Sequence, residues 1–506
     1  MSYRFNNDNS SLTKRICSIN YVDINDLDVE SFKVDYNQDL LIEFKDKILS
    51  LRDKHFFIVG DYDCDGICAT TIMKKLLDDL GIKNNYYIPS RSKEGYGLNE
   101  SIIDTAITHG FDVLLCVDNG VVAYDELSKA KDAGIITMVI DHHEYSDKPD
   151  VDAFLHPNLF PKEYDDMCAA GLCGLLSNSF RYDVLSTILA GLATLADMVK
   201  VFGYNRYLLK EMLKLIREND IVQINYLLGN SDPTYDALSF NVIPKINAVS
   251  RLENKLNVNH LVKYLLNYNN EVNTYLSAIE AINKERKDLT KSMVSLASRL
   301  INHDDEVIII KSDVFAEGLC GLIANRLMHE YLKPVIVFSE KDGELKGSGR
   351  SMKGSNLYEY LKKTDELFSA FGGHNQAVGL SMSSDRFDDL LSYVRNNHFE
   401  YDLDQKDVLV LNQNEIDDSL MNELENLKPF GSGFEEPLIG ILNPDIEKKL
   451  MISRTYPKFV LSSNLEAISF DSSLSDVKFN MMIGKIKRDD NYHNRISMII
   501  EDLIEF

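Results

Sequence analysis

Between residues 54 and 155, short apolar runs alternate with helical patterns, and this alternation constrains the fold more than any other feature of the chain. The apolar runs that predict strands are HFFIVG, NNYYIP, VLLCVDNG, ITMVIDHH and AFLH. Residues 67–80, 98–109 and 122–133 have helical periodicity, and a glycine that can end a helix follows each segment. Strands that alternate with helices form a parallel sheet covered on both faces, so the pattern predicts a doubly wound α/β domain.

The length of the chain predicts several domains. A single hydrophobic core stops growing near about 250 to 300 residues, and this chain has 506. The sequence predicts an N-terminal extension over residues 1–50, the α/β domain over 51–200, and a helical connector over 201–300 that ends in a long charged helix. A smaller α/β domain over residues 301–398 and an all-β, barrel-like domain over 405–506 follow.

The cysteine content and the apolar runs predict a cytoplasmic protein. Seven cysteines are scattered along the chain without the dense framework of a disulfide-stabilised secreted domain. The first 15 residues lack the apolar core of a signal peptide, and no apolar run reaches the roughly 18 residues that a membrane span requires. The longest candidate, residues 184–199, contains threonines and an aspartate and is interpreted as a buried helix. We therefore expect no membrane association.

The formal net charge of −25 limits where a nucleic acid could bind. Lysine and arginine supply most of the affinity for nucleic acids because they neutralise phosphates, so any such site has to be a local basic groove. A site for multivalent cations would use several of the acidic charges, and the remaining ones would suppress non-specific adhesion.

The segment GDYDCDG, residues 60–66, directly follows the apolar run HFFIV, and ligands of open α/β sheets bind at the carboxyl ends of strands. If the segment is extended, Asp61, Asp63 and Asp65 point to one side, and Tyr62 and Cys64 point to the other. Three carboxylates on one side repel one another unless cations lie among them, and Mn²⁺ or Mg²⁺ prefer oxygen ligands. A solvated acidic turn is the alternative interpretation.

Further acidic and imidazole side chains follow two strands and lie in one helix. VLLCVDNG places Asp118 at a strand end, TMVIDHH places Asp141, His142 and His143 at the next one, and LATLADMV places Asp197 in an apolar helical stretch. An unpaired carboxylate in such a stretch is costly and needs a partner. Taken with the first three aspartates, these residues predict a site for two divalent metal ions that hydrolyses a phosphoester by in-line displacement.

The order and spacing of these motifs resemble those of the DHH phosphoesterases. GDYDCDG, VDNG, DHH and LADMV correspond to four motifs of that family. Further blocks resemble the RecJ-like single-strand exonucleases within the family: IPSRSKEGYGL, PKINAVSRL, EGLCGLIANRL, GSGRS, FGGHNQAVG and KPFGSG. The resemblance covers residues 56–437 and implies a DHH domain, a long connecting helix, a DHH-associated domain and an OB-fold.

The resemblance also implies a role for each residue of the acidic cluster. The implied ligands of two Mn²⁺ or Mg²⁺ ions are Asp63, Asp65, Asp118, His142 and Asp197. His143 would lie beside the scissile phosphate, and Asp61 and Asp141 would support the catalytic site. The implied activity is 5′→3′ removal of mononucleotides from single-stranded DNA, in DNA repair and recombination.

A second set of residues is implied to hold the nucleic acid. Its members are Arg91, Tyr96, Asn247, Arg251, Ser348, Arg350, Ser351, Gly372, Gly373 and His374. In GSGRS and GGHNQAVG we expect glycine-rich turns whose backbone N–H groups approach an anion, with Arg350 adding a planar fork for phosphate. In the C-terminal domain, Lys458, Phe459 and the basic run KIKR, residues 485–488, form a candidate surface for stacking and charge.

Two other functions remain open at this point. One is a DHH-type phosphodiesterase that acts on short oligoribonucleotides or cyclic dinucleotides, although the long C-terminal extension argues against it. The other is a non-catalytic replication scaffold, which would be expected to have lost metal ligands. For the exonuclease, the expected partners are single-stranded nucleic acid, DNA rather than RNA, and a helicase or single-strand-binding protein. We expect a monomer.

Overall fold

The computed structural model describes residues 3–8, 10–91, 93–95, 97–253, 255–401, 405–453, 455–471, 474–475, 477–489 and 492–505. The chain divides into two compact units. Unit 1 combines Met1–Lys33, Met198–Tyr207 and Asp404–Phe506, and unit 2 combines Val34–Asp197 and Leu208–Leu403. Both ends of the chain therefore belong to unit 1, whereas the predicted bounds of the individual domains stay a prediction.

The strands are β1 (Tyr3–Asn6), β2 (Phe56–Val59), β3 (Asn84–Tyr87), β4 (Val113–Val117), β5 (Ile136–Ile140), β6 (Ala153–Leu155), β7 (Ile308–Ser312), β8 (Val335–Lys341), β9 (Glu344–Arg350), β10 (Ala370–His374), β11 (Ala377–Ser383), β12 (Lys406–Leu411), β13 (Leu438–Leu442), β14 (Lys448–Ile452), β15 (Tyr456–Val460), β16 (Leu465–Ile468), β17 (Met481–Asp489) and β18 (Tyr492–Ile504). The α-helices are α1 (Leu12–Ile19), α2 (Asp39–Ser50), α3 (Cys64–Asp79), α4 (Glu100–Thr108), α5 (Tyr124–Asp132), α6 (Ala169–Phe180), α7 (Val184–Ala196), α8 (Gly203–Glu218), α9 (Val222–Leu228), α10 (Tyr235–Ala237), α11 (Ile243–Arg251), α12 (Asn259–Leu266), α13 (Glu271–Ala297), α14 (Cys320–Tyr331), α15 (Leu357–Lys362), α16 (Phe387–Asn396) and α17 (Asp418–Leu427).

The first sheet of unit 2 is five-stranded, parallel throughout, and has the order β3-β2-β4-β5-β6. All five predicted strands are present, which confirms the doubly wound α/β prediction. Every residue of β2 and β4 is buried, because helices cover both faces of a parallel sheet. Phe57 and Val59 pack against α4 and α5 on one face, and the carboxyl ends of β2, β4 and β5 lie side by side at one edge.

Two predicted helices beyond this sheet are confirmed. The apolar stretch at residues 184–199 forms α7, which is buried along most of its length and ends one residue before Asp197. The long charged stretch forms the 27-residue helix α13, which leads from the helical connector to the second sheet. Among the described residues, no helix is long and apolar enough to cross a membrane.

The second sheet of unit 2 has the order β10-β11-β9-β8-β7, and only the β7–β8 pair is parallel. Apolar clusters cover both of its faces, one with α14 and one with α15 and α16. The turn predicted in GSGRS is wrong, since GSGR lies inside β9. In GGHNQAVG a turn is present at residues 375–376, but Gly372 and Gly373 lie inside β10. Gly347 and Gly349 permit close strand packing instead, because a Cβ on either would lie within 2.6 Å of a side chain, Phe338 for Gly347 and Val378 for Gly349.

Unit 1 contains an eight-stranded sheet of order β1-β12-β13-β17-β18-β16-β15-β14. The predicted C-terminal β domain is therefore present, and the N-terminal strand β1 extends it by parallel pairing with β12. Arg206 is 1% exposed, and its guanidinium donates hydrogen bonds to the carbonyl oxygens of Leu27, Leu427 and Pro429. These bonds satisfy a buried charge with backbone acceptors from both ends of the chain.

Candidate metal centre and nucleic-acid interface

The segment with the first three predicted aspartates is not extended as expected, because Asp61 and Asp63 lie in the loop between β2 and α3 and Asp65 lies in the first turn of α3. Helix α3 begins at Cys64, because the side chain of Asp63 caps it and accepts the backbone N–H groups of Asp65 and Gly66 at 2.9 and 3.1 Å. The predicted extended conformation is therefore wrong, although all three carboxylates lie in the same cluster. Gly66 makes the tight turn possible, since a Cβ there would lie 2.5 Å from the carbonyl oxygen of Asp61.

Asp65 is held by a second helix that lies far away in the sequence. Its two carboxylate oxygens accept the backbone N–H groups of Ala169 and Ala170, each at 2.8 Å, in the first turn of α6. The free N–H groups and the dipole at a helix N-terminus stabilise a carboxylate in this position. Asp65 is thereby oriented toward His142, whose Nε2 lies 3.7 Å from Asp65 Oδ2.

The end of β4 places Asp118 beside this loop in an uncommon backbone conformation. Its φ of 61° lies in the left-handed region, which aspartate and asparagine adopt more readily than most residues. The next residue, Asn119, is buried and donates from Nδ2 to the carbonyl oxygens of Val59 and Val117 at 3.0 and 2.9 Å. Asn119 thus ties the end of β2 to the end of β4, and this clamp fixes the turn that carries Asp118.

The end of β5 contributes Asp141, His142 and His143. Asp141 accepts the backbone N–H groups of Val121, His142 and His143 and a hydrogen bond from Nδ1 of His143 at 2.7 Å. Burial opposes ionisation of Asp141, but the bond from His143 lowers its pKa. Burial also opposes protonation of His143, yet the same bond raises the pKa of His143 to about 9. Asp141 therefore orients His143.

His156 is a part of this site that sequence reasoning missed. Its Nδ1 accepts the backbone N–H of Asn158 at 3.2 Å, so Nε2 carries the proton and donates to the carbonyl oxygen of His143 at 3.0 Å. His156 is 2% exposed and fixes the backbone of the DHH segment. Its position directly after the strand run AFL was the available signal.

Asp197 completes the cluster from the carboxyl end of α7. Its Oδ2 lies 3.7 Å from Nδ1 of His142, and the Nε2 of the same ring lies 3.3 Å from Oδ1 of Asp118. The two nitrogens of His142 therefore face carboxylates that come from different parts of the chain. The predicted convergence of acidic and imidazole side chains at one sheet edge is what the structure shows.

The cluster has the electrostatics of a cation site. Burial, together with neighbouring carboxylates, raises the pKa values of Asp61, Asp63 and Asp118, and it raises the pKa of Asp197 to about 8. Oδ1 of Asp61 is buried and has no hydrogen-bond partner among the described residues. So many carboxylates in a buried space repel one another, and divalent cations with oxygen ligands fit them.

Among the residues that the structure describes, potential ligand atoms fall into three overlapping groups, in each of which the atoms lie within 4.8 Å of one another. The groups are Asp118, His142 and His143; Asp65, His142 and Asp197; and Asp61, Asp63 and Asp118. Asp118 and His142 each belong to two groups. All five predicted ligands are therefore brought together, and so are the three residues predicted to support catalysis, two of which could also contact metal.

We expect Mn²⁺ to stabilise the folded protein, because it removes the repulsion among these carboxylates. A ligand present at about one hundred times its dissociation constant adds about 2.7 kcal/mol to the free energy of unfolding. For a chain of this size, Tm in Mn²⁺ should exceed Tm in EDTA by about 2 to 3 °C for each bound cation, measured by differential scanning fluorimetry. The control Asp150→Asn changes an exposed, Lys131-paired carboxylate and should leave the shift intact. Equal Tm values with and without Mn²⁺ would contradict the assignment.

In the second sheet, strand register places Ser348, Arg350 and His374 on one face. Ala377 of β11 lies opposite both His374 and Arg350, and Gly379 lies opposite both Gly372 and Ser348. Directly opposite residues of neighbouring strands project to the same face. Gly372, Gly373 and His374 are exposed. These predicted residues therefore form a continuous surface, although on strands rather than on turns.

Other predicted contact residues have different surroundings. Ser351 is buried, and its backbone N–H donates to the carbonyl oxygen of Gln376 at 2.9 Å, so it closes the end of the hairpin. Asn247 lies in α11, and its Oδ1 is buried without a hydrogen-bond partner among the described residues. Tyr96 lies outside the described residues.

Arginines from four elements lie near one another. Arg251 donates to the carbonyl oxygen of Gly318 at 3.1 Å, and a Cβ on Gly321 would lie 3.1 Å from Nη2 of Arg350. Burial lowers the pKa of Arg251 to about 9, and the positive charges of Arg91, Arg286 and Arg350 add to this effect. Sequence reasoning missed Arg286, which lies in the middle of the long helix α13 and resembles a solvated helix residue.

The arginine cluster consists of Arg91, Arg251, Arg286 and Arg350, and none of these four makes an ion pair with another described residue. The sign and density of charge therefore suit a phosphate group. Arg251 also contributes attraction to Asp63, and Arg91 to Asp61. The arginine cluster thus adjoins the acidic cluster within unit 2.

In the C-terminal domain, the prediction of a stacking residue is wrong, and acidic partners compensate the charges of three predicted basic residues. Phe459 is 1% exposed, so its ring cannot stack on a base. Lys458, Lys485 and Arg488 are engaged in ion pairs with acidic residues of unit 1. Their partners are Glu466 for Lys458 at 2.7 Å, Glu436 for Lys485 at 3.2 Å, and Asp418 for Arg488. Residues 405–506 contain 18 Asp and Glu against 11 Lys and Arg.

Models of three known domain families match this chain. A model of the DHH family N-terminal domain matches residues 55–196, one of the DHHA1 domain matches 304–397, and one of the RecJ OB domain matches 409–494. The chain therefore contains a DHH domain, a DHHA1 domain and a RecJ OB domain. The order of its three domains is RecJ-like, which confirms the resemblance that the motifs indicate.

Two curated relatives carry the name single-stranded-DNA-specific exonuclease RecJ. The protein from Bacillus subtilis is 28% identical over 449 residues, which are 83% of this chain and 56% of that protein. The protein from Salmonella typhimurium is 28% identical over 470 residues, which are 84% of this chain and 80% of that protein. The chain therefore spans little more than half of the first relative and most of the second.

A solved structure shows the same fold. The crystal structure of RecJ in complex with Mn²⁺ from Thermus thermophilus matches with a TM-score of 0.85 at 22% identity, and the match covers 100% of this chain and 80% of that chain. A second structure of that protein contains Mg²⁺. This similarity confirms the predicted fold.

Proposed function

We propose that this protein is a metal-dependent exonuclease that degrades single-stranded DNA in the 5′→3′ direction, releases 5′-mononucleotides, and acts in DNA repair and recombination. One observation carries the proposal: neighbouring groups of ligand atoms share Asp118 and His142. Shared ligands allow two cations to lie side by side, which is the arrangement that phosphodiester hydrolysis uses. The names of the relatives support the choice of single-stranded DNA as substrate.

The residues that fit two Mn²⁺ or Mg²⁺ ions are Asp63, Asp65, Asp118, His142 and Asp197. Bound cations would polarise the phosphoryl oxygens and lower the pKa of a water molecule. Asp141 keeps the imidazole of His143 in one orientation by accepting from Nδ1, so Nε2 is the nitrogen that can reach a phosphate oxygen. Asp61 adds negative charge beside Asp63 and Asp118, which strengthens the attraction for cations.

The arginine cluster supports recognition of a phosphate at the end of the strand. Its guanidinium groups adjoin the acidic cluster. Arg251 and Arg350 donate their described hydrogen bonds to backbone carbonyl oxygens and not to carboxylates. Four such charges around one space favour a terminal phosphate, which carries more negative charge than an internal phosphodiester. This preference would place one nucleotide between the strand end and the cations. A helicase or single-strand-binding partner and a monomeric state stay predictions.

Two competing functions make different predictions. A phosphodiesterase of short oligoribonucleotides or cyclic dinucleotides has no evident use for a RecJ OB domain, and this chain contains one. A silent scaffold would lose ligands, yet every predicted ligand occupies the cluster.

The deciding experiment follows a long 5′-labelled DNA oligonucleotide and its 3′-labelled counterpart in Mn²⁺. We expect immediate release of labelled mononucleotide from the 5′-labelled strand and progressive shortening of the 3′-labelled strand. Dinucleotides and a duplex of the same sequence serve as competing substrates. Faster turnover of dinucleotides than of the long strand would favour the short-substrate function, and absence of any cleavage would favour the scaffold.

A further inference from the structure

Tyr62 lies between two residues of the acidic cluster, Asp61 and Asp63, and its ring contacts Arg91. The guanidinium carbon of Arg91 lies 5.0 Å from the centre of the Tyr62 ring, which is the geometry of a cation–π interaction. The ring is only partly buried, so one face remains available to the guanidinium. The loop that carries the carboxylates therefore also contacts the loop that carries an arginine.

The backbone of Arg91 is fixed from a third element. Glu253, which follows α11, accepts the backbone N–H of Arg91 with one carboxylate oxygen and the hydroxyl of Ser90 with the other. Glu253 lies two residues after Arg251, so the same turn positions two members of the arginine cluster. Glu253 holds the main chain of Arg91, and this leaves the direction of the guanidinium to be set by the Tyr62 ring.

We propose that Tyr62 is a positioning residue for the substrate, because its aromatic face sets the direction of the Arg91 guanidinium beside the acidic cluster. The inference rests on the proposed function, since it assumes a phosphate-containing strand as ligand. Burial raises the pKa of Asp61, and the charge of Arg91 opposes that rise, which agrees with a guanidinium held close to the carboxylates. Tyr62 thereby links the acidic cluster to the arginine cluster. The distance between these two clusters determines where a strand end lies relative to the cations.

The chemistry of the contact predicts which part of Tyr62 matters. A cation–π interaction depends on the ring face and not on the hydroxyl, so phenylalanine should replace tyrosine with little loss. Leucine fills similar space but has no ring quadrupole, and the guanidinium would then be free to turn away. A residue that only packs would instead tolerate leucine and phenylalanine equally.

The test is a double-mutant cycle on the full chain with Tyr62→Phe, Tyr62→Leu, Arg91→Gln and the double variant Tyr62→Leu/Arg91→Gln. We measure kcat and KM on a 5′-phosphorylated DNA oligonucleotide in Mn²⁺, and the Mn²⁺ concentration that gives half-maximal rate. Tyr62→Leu should raise KM about tenfold and change kcat by less than about twofold. Tyr62→Phe should stay near the wild type, and Tyr62→Leu should add nothing in the Arg91→Gln background.

Three results would overturn the proposal. The first is equal KM values for Tyr62→Phe and Tyr62→Leu. The second is a KM of the double variant that is raised by the product of the factors measured for Tyr62→Leu and Arg91→Gln alone. The third is a changed Mn²⁺ requirement for Tyr62→Leu, which would show that the substitution disturbs the acidic loop itself.

If the wild type does not cleave the oligonucleotide, the proposed function is rejected independently of the role of Tyr62. The cycle is then measured as binding of the same fluorescent strand by anisotropy. A non-additive cycle would sustain the role of Tyr62 without the activity. Additive effects, or absence of any binding by the wild type, would reject that role as well.

Discussion

Asp118→Asn should lower kcat/KM on single-stranded DNA by about a thousandfold or more in Mn²⁺, with little change in Tm measured in EDTA. Asp118 belongs to two groups of ligand atoms, so its loss weakens both candidate cation positions at once. Cations contribute several kcal/mol of charge stabilisation in such reactions, and each 1.36 kcal/mol corresponds to about a tenfold change in rate. Steady-state release of mononucleotides in Mn²⁺ measures the effect.

Asparagine is the appropriate replacement because of the backbone. The φ of Asp118 is 61°, and asparagine tolerates this left-handed conformation, whereas alanine pays a steric cost. The Asn119 clamp onto Val59 and Val117 is unaffected by either substitution. Asp118→Ala should therefore lose activity and also melt at a lower temperature than Asp118→Asn in EDTA.

The outcome separates catalysis from folding. Retention of full activity by Asp118→Asn would contradict a catalytic role for the acidic cluster. A cooperative transition near the wild-type Tm, combined with loss of the Mn²⁺-induced shift, would assign the defect to metal binding. Asp150→Asn, a surface carboxylate outside the cluster, should keep both activity and the shift.

The first sheet and its acidic edge could be predicted from the sequence because local signals and the fold agree there. Strands β2, β4 and β5 are predominantly apolar runs, and an aspartate follows each strand within two residues, so the parallel arrangement brings these aspartates to one edge. The pairing of Asp65 with the first turn of α6 could not be predicted. It joins residues more than 100 positions apart, and neither segment has a local pattern that reports the contact.

Elsewhere the local signal was ambiguous or misleading. Glycines in GSGR and FGGH suggested turns, but in this sheet they relieve crowding against Phe338, Val378 and the backbone of Ala377. Asp63 looked like one of three equivalent carboxylates, whereas its short side chain also caps α3 and starts the helix early. The ion pairs of the C-terminal domain could not be predicted from the sequence, because they depend on the strand register that brings Lys458 close to Glu466.

Arg350→Gln should raise KM for a 5′-phosphorylated single strand about 10- to 100-fold, while kcat falls much less. A hydrogen bond to a charged group contributes about 1.5 to 3 kcal/mol, which corresponds to this range. Nη1 of Arg350 donates to the carbonyl oxygen of Gly349 at 2.7 Å, which fixes the guanidinium and leaves its charge for a ligand. Arg350→Lys should recover only part of the loss, since an ammonium cannot form the same two-pronged contact.

The matched control is Lys458→Ala in the C-terminal domain. Lys458 is paired with the buried carboxylate of Glu466, so its charge is already compensated and its removal should change KM by less than about twofold. Salt dependence adds a second readout. Loss of one phosphate contact should reduce the slope of log Kd against log salt concentration by about 0.7 for Arg350→Gln, whereas Lys458→Ala should leave the slope unchanged. If Lys458→Ala weakened binding as much as Arg350→Gln did, the arginine cluster would not be the sole strand-binding surface and the C-terminal domain would hold the strand as well, because only a residue in contact with phosphate alters both the affinity and its dependence on salt.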